Sequence, residues 1–294
     1  QITFFKVVYR RHTNFSKEAI VQQWNGSSNS KTCTLARNGD LVQEIYLTTA
    51  ASKTQTLDNV LSVEVEIGGQ KIDKHYNAWL DIYDELFDEN VGLKTAILGG
   101  SGKGYIPLRF WFNRNPGLAL PLIALQYHEV KVNVTLGAET ELMGKLQTGD
   151  AEGALSAGET TLDSADLLVN YLYLDTDERR RFAQVSHEYL IEQVQHTGTE
   201  TAGGAIDMTF NHPVKALFWT GTGWGKTKLQ LNGHDRAAEQ PHDYYHLLQP
   251  YESGLGHSGE SLNATTRAWA TVVAGGDVGM YSFCLKPAEH QPSG

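Results

Sequence analysis

Cysteine is nearly absent from this chain, with Cys33 and Cys284 the only two among 294 residues. So sparse a pair excludes a disulfide framework and suits a reducing compartment, a single long-range bridge being the alternative. Long apolar runs are also missing. The longest, Gly117 to Leu125, is interrupted by Pro121 and is far shorter than the ~20 residues a membrane-spanning helix needs. A basic excess is lacking too: the formal charge is -10, with 15 basic and 20 acidic residues through Leu174 and 9 and 14 from Asp175. Nucleic-acid affinity comes mainly from Lys and Arg displacing counterions, so no direct nucleic-acid binding is expected. The chain begins at Gln1 with no signal-peptide pattern, and is expected to be soluble.

What is present is β-structure. A chain of this length favours two domains, each able to bury its own core. Strand-like runs are Ala19–Trp24, Leu41–Thr48, Val60–Ile67, Tyr105–Phe112, Glu129–Leu136 and Leu167–Leu174, followed by Tyr189–His196, Ile206–Phe210, Lys215–Trp219, Lys228–Leu231 and Met280–Leu285. Val63, Val65 and Ile67 alternate with Ser62, Glu64 and Glu66, which predicts one core face and one outer face. Asn38-Gly39 and Asn232-Gly233 are predicted hairpin turns. The acid-then-base run Asp175 to Arg181 suits a short, solvated, self-paired helix and marks the domain junction.

Two echoes suggest a duplicated unit. Ile20-Val21-Gln22-Gln23 returns as Ile191-Glu192-Gln193-Val194, and Glu66-Ile67-Gly68-Gly69-Gln70 as Gln230-Leu231-Asn232-Gly233-His234. The expected domains are residues 1–174, a linker at 175–186, and residues 187–294. Leu86–Gly104, Gly137–Asp166 and Glu252–Gly279 are long loops of the kind that carry function.

Apparent catalytic motifs fail on spacing. Gly221 to Thr227 ends in Gly-Lys-Thr, but a phosphate loop needs glycine where Thr220 stands, and the flanks are strand-like. His242 and His246 share a helical face as two metal ligands would, yet neither His128-Glu129 nor His187-Glu188 continues into the zinc-protease pattern. Tyr76 to Glu89 is predicted helical, with Tyr76, Leu80, Tyr83 and Phe87 on one stripe and Asp81, Asp84, Glu85 and Asp88 on another. Those acids are expected to be a solvated face, the alternative being a glycosidase pair in an aromatic cleft. No catalytic, cofactor-binding or metal site is therefore expected. Asn14, Asn25, Asn133 and Asn263 open Asn-x-Ser/Thr triplets, of which Asn133, inside a predicted strand, is discounted most.

Between Pro107 and Leu136 the wording is specific: Pro107-Leu108-Arg109-Phe110-Trp111-Phe112, then Pro116-Gly117-Leu118-Ala119-Leu120-Pro121 running on to Tyr127-His128-Glu129-Val130. With Glu66-Ile67-Gly68-Gly69-Gln70, Ile72-Asp73-Lys74-His75-Tyr76, Glu188 to Gln193 and Phe210-Asn211-His212-Pro213, it resembles the major capsid proteins of nucleocytoplasmic large DNA viruses, closest to the algal-virus, marseillevirus and iridovirus branches. The resemblance implies an all-β fold of two consecutive eight-stranded jelly rolls with short helices in the loops. It also implies a homotrimer that forms a pseudo-hexagonal capsomer of an icosahedral shell. Further implications are minor capsid proteins as partners, an internal viral membrane nearby, assembly in the host cytoplasm, and no cofactor. Leu86–Gly104 and Glu252–Gly279 would be outward loops, with Asn263 in the second the candidate glycan position. Family members continue past Gly294 into further strands, so the second jelly roll is expected to be incomplete here. A minor or decoration capsid paralogue is the alternative within the same class.

Overall fold

The computed structural model describes residues 12–25, 30–48, 60–87, 105–136, 166–198, 204–221, 225–255 and 277–290. The first half holds eight principal strands: β1 (Phe15–Gln22), β2 (Ser30–Thr34), β3 (Leu41–Thr48), β4 (Val60–Ile67), β5 (Gln70–Tyr76), β6 (Tyr105–Pro107), β8 (Val130–Leu136) and β9 (Asp166–Leu174). One sheet runs β1-β9-β3-β6, with the two-residue β7 (Leu120–Pro121) added to β3; the other runs β2-β8-β4-β5. Every pairing of these strands is antiparallel, and the chain crosses repeatedly between the sheets, which is the jelly-roll order.

Alternation places the core. Val63 and Val65 of β4, Val132 and Val134 of β8, and Val169 and Tyr171 of β9 are all buried in one cluster between the sheets. Burying each such side chain contributes roughly 1.5–3 kcal/mol. The Tyr171 hydroxyl donates to the Ala36 carbonyl at 2.6 Å, which satisfies the polar end of a buried ring. Gly39 is required here, because a Cβ would stand 2.7 Å from that of Tyr171. Asn38-Gly39 is accordingly not the predicted hairpin. It carries the chain from β2 to β3, which lie in opposite sheets.

Cys33 faces the core from β2, and burial pushes its thiol up to about 11. Both cysteines are free. Alkylation at pH 8 followed by peptide mass spectrometry is expected to leave Cys33 unmodified until denaturant is added.

On the outer side of the first sheet, Glu44 accepts from Lys17 Nζ at 2.6 Å and from Asn170 Nδ2 at 2.7 Å. Burial pushes the Glu44 carboxyl up, but those hydrogen bonds and the Lys17 charge outweigh it and hold the group below its ordinary 4.5. A carboxyl depressed in the folded state stabilises above its ordinary value and loses that contribution as pH falls through the lower folded value. Denaturant melts should thus separate wild type from Glu44→Gln by a constant amount near neutrality. The gap should narrow as pH drops below about 4.5.

The second half contains β10 (Ala216–Gly221) paired with β15 (Asp277–Ser282), and a ribbon of β11 (Lys226–Thr227), β12 (Gln230–Leu231), β13 (His234–Asp235) and β14 (Gln240–Pro241). The echoed pentapeptides prove to be equivalent. Ile67 pairs Gln70 across Gly68-Gly69, and Leu231 pairs His234 across Asn232-Gly233. All four turn residues have positive φ, from 51 to 82°, which is the geometry of a type I′ hairpin.

Several expectations need correction. Tyr189–His196 and Ile206–Phe210 form no strand. Leu108–Phe112 does not prolong β6: Phe110 flanks a helical turn at Trp111–Arg114, which lets Phe110, Trp111 and Phe112 all be buried, as an alternating strand would not. The charged run does form a helix, Thr176–Gln184, capped by Asp175 Oδ1 on Thr176 N. It is not merely self-paired, since Arg179 Nε reaches Asp40 at 2.9 Å and ties the junction to the first sandwich. Residues 88–104, 137–165 and 256–276, which hold most of the three long loops and Asn263, lie outside the described residues.

Candidate functional site

Where the two halves meet, the sequence concentrates aromatic and charged side chains. The helix Asn77–Leu86 follows β5 directly and serves both halves. Its Leu80 is buried in the first core, while Ile82 and Leu86 cluster with Leu255, Val278 and Met280 of the second half. Trp79 meets Phe218 edge-on at 5.3 Å, and Phe87 lies 5.8 Å from the same ring.

Beside this apolar joint runs a polar one. Arg109 sits over the Tyr83 ring at 5.0 Å and pairs with Asp84 at 3.3 Å. Arg114 binds Glu192 at 2.9 Å, and Lys215 also pairs with Glu192. Asp84 is buried, so the predicted solvated acid face fails at that residue; the Asp81 and Glu85 side chains and all of Asp88 lie outside the described set. The aromatics of the helix pack on one another and on Phe218. They fill the joint where the glycosidase reading required a cleft.

The stretch at 187–196 straps across the edge of β5. Gln193 Nε2 donates to the Ile72 carbonyl, and Val194 N donates to Asp73 Oδ1 at 3.1 Å. Asp73 Oδ2 in turn holds His75 Nε2 at 2.9 Å, with both side chains almost fully buried. The His75 ring stacks on Phe110 at 4.4 Å. Tyr189 and Ile191 pack against the first core. An edge strand left open would pair with other chains, and this strap covers it. Sequence reasoning missed Asp73 and His75 as functional residues, although their i, i+2 spacing in a strand puts both on one face.

The candidate catalytic groups do not assemble. His242 and His246 are buried and stacked at 5.6 Å, with His246 Nδ1 engaged 2.7 Å from the Val278 carbonyl. Among the described residues no group of three or more His, Cys, Asp or Glu could hold a metal ion. In the Gly221 to Thr227 segment, residues 222–224 lie outside the described set, and Lys226–Thr227 is strand β11, where a phosphate loop would open a helix. Asn133 is committed to the sheet surface, accepting from Thr32 Oγ1 at 2.8 Å, whereas Asn14 and Asn25 are exposed.

Comparison with known proteins bears on this geometry. A family profile described as major capsid protein N-terminus matches residues 3–175, and one described as large eukaryotic DNA virus major capsid protein matches residues 178–222. The major capsid protein of Pyramimonas orientalis virus is 47% identical over the whole chain and 83% of its own length. That of Paramecium bursaria Chlorella virus 1 is 38% identical over the whole chain and 79% of its length. A solved structure titled PBCV-1 virus capsid superposes with a TM-score of 0.79 at 36% identity, covering 99% of this chain and 83% of that one. The Faustovirus major capsid protein, at 10% identity and a TM-score of 0.64 over all of this chain and 86% of that one, shares the fold.

Proposed function

The chain belongs to the major capsid protein family of large eukaryotic DNA viruses, and from that premise we propose that three copies form a pseudo-hexagonal capsomer that tiles an icosahedral shell. Each copy contributes two β-units, residues 1–174 and 187–294, joined through residues 175–186. The observation that carries this reading is the repeated type I′ hairpin, which supports two similar units in one chain. Three such chains present six near-equivalent edges, and closed symmetry keeps the assembly finite.

The function is structural and involves no turnover. Support comes from the seam, where the apolar and ionic side chains bind one half to the other. The remaining partners are minor capsid proteins, with an internal viral membrane close by and no direct contact with nucleic acid, in keeping with the charge of -10. The protein resides in the virion shell after assembly in the host cytoplasm, with Asn263 as its glycan position. Negative-stain electron microscopy of the purified protein tests the reading. Six-lobed particles with threefold symmetry are expected; isolated two-lobed particles at micromolar concentration would overturn it.

A further inference from the structure

Asn-Gly occurs three times in the chain, at 25–26, 38–39 and 232–233. Glycine places no side chain between its own amide nitrogen and the carboxamide carbon of the preceding asparagine, so the nitrogen can attack that carbon and close a cyclic imide. Whether it does depends on how freely the fold lets the pair turn. Gly26 lies outside the described residues, which leaves two sites to compare.

Asn38-Gly39 is held. A Cβ on Gly39 would stand 2.7 Å from that of Tyr171 and 3.2 Å from the Leu172 carbonyl oxygen, so this glycine is wedged against β9. The next residue is pinned on several sides. Asp40 N donates to the Leu172 carbonyl at 3.0 Å, its carbonyl accepts from Ile123 N at 3.2 Å, and its carboxylate holds Leu174 N and Arg179. Rotating Asn38 toward the Gly39 nitrogen means moving backbone that is packed on the first core.

Asn232-Gly233 stands free. Leu231 to Arg236 are all exposed, and no described atom lies within 4 Å of the place a Gly233 Cβ would take. The ladder below the turn is two residue pairs, Gln230 with Asp235 and Leu231 with His234. Both turn residues lie beyond the last pair, so the Gly233 N–H takes no part in the ladder. The side chains that brace it, Gln230 and Lys228 on Asp235 at 2.6 and 3.2 Å, are themselves at the surface. The type I′ turn, with Asn232 at φ 51° and Gly233 at 76°, has to open before the nitrogen meets the carboxamide carbon. So short a two-stranded ribbon is marginally stable and opens without disturbing the core.

We propose that Asn232 is a site of spontaneous deamidation that ages the second-half hairpin and spares its first-half counterpart. The Gly233 nitrogen bonds to Asn232 Cγ, the Cγ–Nδ2 bond breaks, and ammonia leaves with the Gly233 amide proton. Water then opens the imide at either carbonyl, giving aspartate or an isoaspartyl link in which the chain runs through the side chain. Aspartate adds negative charge close to Asp235 in a chain already at -10. Isoaspartate lengthens the backbone of a two-residue turn, which the pairing of Leu231 with His234 cannot accommodate. At the equivalent turn Gly68-Gly69 has no carboxamide to lose, and Gly68 N donates to the Glu129 carbonyl at 2.8 Å. The modification therefore makes the two similar hairpins of one chain diverge with time.

Peptide mapping by mass spectrometry of the folded chain held at pH 8 tests this, with digestion in heavy-oxygen water to mark any conversion that occurs during work-up. The tryptic peptide Leu229–Arg236 carries Asn232, and the peptide that begins at Asn38 carries the other site. Conversion several-fold faster at Asn232 than at Asn38 is expected, as a mixture of aspartyl and isoaspartyl forms. In denaturing urea the two rates should converge, since both sites are then Asn-Gly in an open chain. Equal rates in the folded protein, or a gap that persists unchanged in urea, would overturn the proposal.

Discussion

Replacing Asp73 with alanine is expected to cost about 3 kcal/mol or more of unfolding free energy, because one carboxylate serves three partners. It accepts from Val194 N at 3.1 Å and Lys74 N at 2.9 Å, and holds His75 at 2.9 Å. Each buried polar group left without its partner costs roughly 1–3 kcal/mol. The loss should also be localised. Hydrogen exchange at the Val194 amide should accelerate well beyond that of the β4 and β8 ladder, since the Asp73 carboxylate bonds the strap at Val194 and its own strand at Lys74 and His75. Uniform acceleration across the first sandwich would show that Asp73 supports the core rather than the joint between halves.

Phe110→Ala is expected to cost about 3–5 kcal/mol, the usual range for removing a fully buried aromatic side chain. Phe110 is 0% exposed and stacks on His75 at 4.4 Å and on Phe112 at 5.9 Å. Thermal unfolding followed by circular dichroism should move down by roughly 6 °C or more, at about 2–4 °C per kcal/mol for a unit of this size. Unlike Asp73→Ala, this substitution opens a cavity in the first sandwich itself, so exchange should rise in β4, β5 and β8 together. A midpoint unchanged within 2 °C, taking ~2 °C as the scale of a 1 kcal/mol effect, would mean that Phe110 is not the keystone of that end of the core.

How much of this could be read in advance varied with the element. Val60–Ile67 and Leu41–Thr48 announce themselves, and the observed strands have those bounds. Strand β2, Ser-Lys-Thr-Cys-Thr, sends Cys33 into the core between flanking threonines, which leaves too little hydrophobic contrast to detect. Strand β5 inverts the usual pattern by turning Asp73 and His75 inward, and only the tertiary joint explains why.

The misreadings in the second half have a different cause. Tyr189–His196 has apolar alternation, but its partner is the side chains and edge of β5, not a hydrogen-bonded ladder. In the first sandwich β1 pairs with β9 and β2 with β8; no strand follows β15 among the described residues. Pairing over such separations is invisible to local pattern. The aromatic run around Phe110 failed for another reason, since three consecutive buried rings require a helical turn.

The seam was the least legible feature. The Tyr76 to Glu89 helix could be predicted from its period, yet the predicted stripe of Tyr76, Leu80, Tyr83 and Phe87 leaves out Ile82 and Leu86: Leu80 enters one core, and Ile82 and Leu86, on another face, enter the other. A search for one apolar stripe cannot find a helix buried on two faces by different partners. The wording from Pro107 to Val130 carried the family, whereas the echoed pentapeptides, 164 positions apart, became convincing as two hairpins of the same register.

Native mass spectrometry of the purified protein at physiological salt tests the central claim most directly. The account predicts a dominant species at three times the 32.5 kDa chain mass; a dominant species at one chain mass across micromolar concentrations would contradict it.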